Sequence, residues 1–64
     1  MNKEEFIQYM EELKKKYKIV PLSIIYSELE RKGVERGKIK YWLKTLDGTF
    51  FKVENWNVIF IENG

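Results

Sequence analysis

Four bases crowd into residues 35–46 (Arg36, Lys38, Lys40 and Lys44) against a single acid, Glu35. Cationic side chains at that density can neutralise phosphates, and Arg or Lys can also read guanine edges. Over residues 1–32, seven bases are nearly matched by six acids, so the positive excess sits in one short segment. Tyr41 lies within it and offers a ring and a hydroxyl to a phosphate or a thymine methyl. Nearer the C-terminus, Lys52 is a phosphate candidate, and Asn55 and Trp56 fall in a turn. An exposed tryptophan at a turn is costly without a partner. Trp56 therefore either contacts DNA or protein, or folds its ring back onto the chain, and neighbouring Glu54 weighs against a phosphate contact at that tip. The competing reading of Lys40 and Lys44 is a solvated helix face.

Other chemistry has little to work with. There is no His and no Cys, which removes the commonest general base, the thiolate nucleophile and the usual zinc ligands. The glycines at 33, 37, 48 and 64 are scattered and form no phosphate loop. Glu4-Glu5 and Glu11-Glu12 are sequence neighbours and do not face each other on a helix. A ligand pocket would consume the core of so small a domain. The chain is expected to be non-catalytic, with no cofactor, metal or small-molecule substrate.

Sixty-four residues make one domain, 1–64, which buries only about 60% of its unfolded surface. Four Phe, four Tyr and two Trp supply the bulk of a core that no disulfide reinforces. No apolar run approaches the roughly 20 residues that cross a bilayer, so no membrane is expected as a partner. Met1-Asn2-Lys3-Glu4-Glu5 carries acids and leads straight into a helical pattern, which predicts no signal peptide. With the absence of cysteine, this gives a cytoplasmic expectation. Net charge is only +2, too little by itself to identify a partner. Abundant Lys, Glu, Ile and Tyr resemble the bias of thermophile proteins.

The elements that must position these residues follow from periodicity. Phe6, Met10, Leu13 and Tyr17 form an apolar stripe on a first helix from about Asn2 to Lys16. Glu11–Lys15 and Glu12–Lys16 fall at i,i+4 on its wet face. Those pairings and the helix C-terminus account for the basic run Lys14-Lys15-Lys16 and Lys18. Lys18-Ile19-Val20 is a short β-branched strand stopped by Pro21. A second helix, from about Leu22 to Lys32, presents Leu22, Ile25, Tyr26 and Leu29 and ends at Gly33. The third starts near Glu35, turns Ile39, Trp42, Leu43 and Leu46 inward and ends at Asp47-Gly48. Its other side displays Gly37, Lys40, Tyr41 and Lys44, with Lys38 and Thr45 on the flank and Arg36 in the first turn. Residues 49–53 and 58–61 then read as strands of a hairpin, with Val53 opposite Val58 and Phe51 opposite Phe60. One hairpin face carries Phe51, Val53, Val58 and Phe60. The other carries Phe50, Ile59 and Ile61 with only Lys52 polar. Two apolar faces predict either a protein interface, including a second copy of the chain, or cover from helix one and the first strand.

Helix, short strand, helix, turn, helix, hairpin is an α+β arrangement that resembles the winged-helix superfamily over nearly all of the chain. Ile25 and Leu29, Gly33-Val34, Ile39, Leu43, Leu46 and Gly48 carry the resemblance. The chain is also similar to the winged-helix tail of archaeal replicative minichromosome-maintenance helicases and to stand-alone regulators of archaeal viruses and plasmids. The resemblance implies a three-helix core, a short first strand and a β-hairpin wing. It further implies a transcription or replication regulator that binds double-stranded DNA with helix three in the major groove. Gly37 would permit close approach to the DNA backbone. Under that expectation Arg36, Lys38, Lys40 and Lys44 position helix three, and Tyr41 lies near the bases. Lys52, Asn55 and Trp56 work from the wing, and a homodimer would place two such helices in successive grooves. The rival expectation is a winged helix that serves protein assembly.

Overall fold

The structure, a computed structural model, describes residues 1–62. Along the chain come α1 (Lys3–Lys16), β1 (Ile19–Pro21), α2 (Leu22–Arg31), α3 (Arg36–Leu46), β2 (Phe51–Glu54) and β3 (Asn57–Phe60). The class is α+β, with three helices and one antiparallel sheet in the order β1-β3-β2.

A capping box starts α1. The Asn2 side chain accepts from the Glu5 N–H at 2.9 Å, and the Glu5 carboxylate accepts from the Asn2 N–H at 3.0 Å. Acids in the first turn and Lys14, Lys15 and Lys16 in the last complement the helix dipole. Among the described residues the wet face carries one ion pair, Lys15–Glu12 at 3.3 Å, spaced i,i+3 rather than the expected i,i+4. Both groups are solvent-exposed, so its contribution to stability is small. Tyr17 departs from expectation. It caps α1 in an extended conformation and is 53% exposed, instead of completing the inward stripe. The helix has ended by then, so its periodicity no longer aims the ring at the core.

Pro21 closes β1 and serves as N-cap of α2 in extended geometry (φ −62°, ψ 140°). α2 stops at Arg31, one residue short of expectation, because a Schellman turn takes over. The Gly33 N–H donates to the Glu30 carbonyl and the Val34 N–H to the Leu29 carbonyl, both at 3.0 Å. Gly33 sits at φ +88°, a region costly for residues with a Cβ, and Val34 and Leu29 are both buried beneath the turn.

The core lies where the inner faces of the three helices meet the sheet. Phe6 and Met10 of α1, Ile25 and Leu29 of α2, and Ile39 of α3 are fully buried with Phe51 and Val58. Phe6 packs against Trp42 with ring centroids 5.2 Å apart and planes tilted by 37°. Phe51 meets Phe50 and Phe60 edge-on.

Hairpin register is as expected, with Phe51 paired to Phe60 and Val53 to Val58. Strand β2 begins two residues later than the composition suggested, since Thr49 is used in leaving α3. Its N–H and hydroxyl both donate to the Leu46 carbonyl, and the Gly48 N–H donates to the Phe51 carbonyl at 2.8 Å. On the sheet's outer face, Ile59 is flanked by Ile19 of β1 and Lys52 of β2. Phe50, Ile59 and Ile61 are half-buried, and the Lys14 ammonium lies 5.9 Å from the centre of the Phe50 ring. Cover from α1 and β1 thus accounts for part of the second apolar face, while Ile19 stays exposed. Among the described residues no helix is long and apolar enough to cross a membrane.

Candidate nucleic-acid interface

α3 has the sidedness its pattern dictates. Ile39, Trp42, Leu43 and Leu46 are buried, whereas Gly37, Lys38, Lys40, Lys44 and Thr45 are exposed and Tyr41 is 64% exposed. Arg36, Lys40 and Lys44 recur every four residues, so they form one ridge about 12 Å long at 1.5 Å per residue. Such a ridge is electrostatically uncomfortable. Like charges at i,i+4 cost roughly 0.2–0.5 kcal/mol per pair. Arg36 and Lys38 also sit at the positive end of the helix dipole, in a first turn without acids and without a side-chain cap. Glu30 and the N-cap Glu35 offset the charge at the start of α3, and an anion laid along Lys40 and Lys44 would offset the rest.

The four bases are not equivalent. The Arg36 guanidinium donates to the Glu30 carboxylate at 2.9 Å and lies 4.5 Å from the centre of the Tyr26 ring. It is held in place by α2, with its side chain still 70% exposed. Lys38, Lys40 and Lys44 form no ion pair among the described residues.

Two hydrogen bonds fix the hairpin against the helices. The Val53 N–H donates to the Asp47 carboxylate at 3.0 Å, joining β2 to the end of α3. The Leu22 N–H donates to the Trp56 carbonyl at 2.9 Å, joining the hairpin tip to the start of α2. At that tip Asn55 and Trp56 both have positive φ, +50° and +64°, as a type I′ turn requires. The Asn57 side-chain amide donates to the Asn55 carbonyl at 3.1 Å and tightens the turn. The Trp56 ring does not fold back onto the sheet; the residue is 84% exposed.

The fold brings part of the expected set together. A groove of about 300 Å³ is lined by Leu22, Tyr26, Lys40, Leu43, Lys44, Asp47, Val53 and Trp56. An adjoining one of about 430 Å³ is lined by Pro21, Leu22, Ser23, Tyr26, Arg36, Trp56 and Asn57. Arg36, Lys40, Lys44 and Trp56 therefore surround Tyr26. Lys38, Tyr41, Lys52 and Asn55 line neither groove. Lys52 stands on the outer sheet face and pairs with Glu54 at 3.2 Å. Tyr26, Glu30 and Asp47 were not singled out from the sequence as site residues, because contacts six or ten residues apart across a turn leave no periodic trace.

A second feature lies between α1 and α2. The Tyr9 hydroxyl is buried and has no partner at full hydrogen-bond geometry. Burial, and then the charge and weak hydrogen bonding of neighbouring Glu28, push its pKa up to about 12. Nearby, Leu13, Tyr17, Ile19, Val20, Pro21, Ile24 and Glu28 line a groove of about 300 Å³, and Tyr17, Ile19 and Ile24 are large exposed apolar side chains.

Comparison with known proteins gives no match. No family model matches this chain, nor does any curated protein or solved structure. The functional reading rests on geometry and chemistry.

Proposed function

We propose that this chain is a winged-helix domain that binds double-stranded DNA without catalysis, with α3 in the major groove and the β2–β3 hairpin as its wing. The observation that carries the reading is that Lys40 and Lys44 share one groove with the Trp56 tip and Arg36 shares the adjoining one. The order of elements and the β1-β3-β2 sheet are compatible with that fold family. A major groove about 12 Å wide accepts an α-helix. Lys38, Lys40 and Lys44 supply phosphate contacts, Arg36 is oriented by Glu30 and Tyr26, and Tyr41 lies on the exposed face toward the bases. Asn55 contributes from the hairpin tip, while Lys52, paired with Glu54 on the outer sheet face, stands apart.

Replacing Lys40 and Lys44 together by Glu tests this reading. Two cationic contacts become two repulsive ones, so duplex affinity should fall by well over tenfold while the circular-dichroism spectrum is retained. Unchanged affinity would remove the proposal. A second reading, a protein-assembly module that includes self-association, is favoured by exposed Tyr17, Ile19 and Ile24 and by the low net charge. Ile24→Lys, with molecular mass measured by light scattering, separates the two: loss of a dimer supports assembly, and a monomer in both proteins counts against self-association.

A further inference from the structure

Trp56 presents its indole to solvent on a rigid mount. Its carbonyl is tied to the Leu22 N–H, its backbone is fixed at φ +64°, and the residue is 84% exposed. Lys40 and Lys44, without ion pairs among the described residues, line one of its grooves, and Arg36, paired with Glu30, lines the other. Asp47 is the one acid in these linings, and its carboxylate is already engaged by the Val53 N–H. A flat apolar face beside ammonium and guanidinium groups is complementary to a nucleobase and its phosphates.

Duplex DNA does not offer that face. Within a B-form helix the bases are stacked, and only their edges reach the grooves. The minor groove is about 6 Å wide and accepts an indole only if base steps are forced apart. The hairpin tip is also short, a two-residue turn whose carbonyl is bonded to the start of α2. An unstacked base beside a duplex satisfies both halves of the site. We propose that Trp56 stacks on an unpaired base flanking a duplex held by α3, so that duplex–single-strand junctions are bound in preference to blunt duplex. This rests on the DNA reading above and deepens it by naming the kind of DNA.

The test uses a blunt duplex and the same duplex with a five-nucleotide single-stranded tail, whose first unpaired base is 2-aminopurine. A stacked base should favour the tailed duplex by about 5- to 150-fold. The 2-aminopurine emission and the exposed-tryptophan emission should be quenched on binding. Trp42 is only 7% exposed and contributes a constant background, so the change reports Trp56. Trp56→Phe should keep most of the preference, and Trp56→Ala should bring the tailed-to-blunt ratio close to one. A ratio near one in the unmodified protein overturns the inference, as does a ratio that survives in Trp56→Ala. Single strand alone binding as tightly as tailed duplex overturns it as well. Salt-sensitive binding to blunt and tailed duplex alike sinks only this inference, whereas no binding to either sinks the DNA reading beneath it.

Discussion

Replacing Trp56 by Gly should make this protein more stable, although it deletes a large aromatic side chain. Trp56 is 84% exposed, so the substitution removes little buried apolar area. What it relieves is backbone strain. Trp56 occupies φ +64°, a region that disfavours a residue with a Cβ by roughly 1–2 kcal/mol. Asn-Gly is the preferred pair for a type I′ turn, and Asn55 already fills the first place at φ +50°. Against this, glycine adds entropy to the unfolded chain, a cost of about 0.5–1 kcal/mol. At mid-range values the difference is a net gain of about 0.75 kcal/mol, equivalent to roughly 3–6 °C in Tm for a domain of this size. Urea and thermal denaturation followed by circular dichroism measure it, with Trp56→Ala as the companion that loses the ring and keeps the strain. Trp56→Ala should stay within about 0.5 kcal/mol of the parent, as surface substitutions usually do. Destabilisation of both variants by more than 1 kcal/mol would refute the reasoning, because the ring would then be packing on Tyr26 and Leu22. Higher stability with weaker DNA binding in Trp56→Gly would mark the tip as a place where stability is given up for contact.

Other outcomes follow from the same geometry. Gly33→Ala should cost about 1–2 kcal/mol in urea unfolding, since φ +88° at the Schellman turn suits glycine. Gly37 is the contrasting case: nothing lies within 4 Å of an added Cβ, so Gly37→Ala should be neutral or stabilising by up to about 1 kcal/mol, and should weaken duplex binding if α3 closely approaches DNA. Tyr9→Phe should hold or raise stability at neutral pH, because it removes a buried hydroxyl lacking a full partner. The raised Tyr9 pKa gives the pH sign. Its folded value, about 12, exceeds the ordinary 10.0, so burial of the phenolate costs nothing below pH 10 and stability falls as pH rises from 10 toward 12. Alkaline titration of stability should show a smaller loss for the Phe variant than for the parent. Glu30→Gln should cost under about 1 kcal/mol as an exposed pair. It should also tighten duplex binding and steepen its salt dependence by about one as Arg36 is released to a phosphate.

Local signals made most of the scaffold legible. Apolar spacing identified three helices to within one or two residues at each end. Gly33 marked a turn that uses its positive φ, and the period-two pattern around Asn55 gave the hairpin register. The exposed and buried sides of α3 followed from the same spacing. The sequence was silent on contacts made between elements. Nothing in the pattern tied Arg36 to Glu30 and Tyr26, placed the Trp56 carbonyl on the Leu22 N–H, or set Asp47 under β2. Those depend on how helices and hairpin dock, which no periodicity encodes. Tyr17 breaks its stripe because it stands one residue past the helix end. Lys52 had the right charge but lies on the outer sheet face, away from the grooves that join α3 to the tip.

If the α3 ridge is an electrostatic footprint for DNA, duplex titration across salt concentrations reveals it. Fluorescent duplex of mixed sequence, titrated between 50 and 200 mM salt, should bind with a log–log slope of roughly −3, as the phosphate contacts of Lys38, Lys40 and Lys44 require. A slope near zero, or no binding at the lowest salt, would contradict the account and leave the apolar surface around Ile24 as the better guide to function.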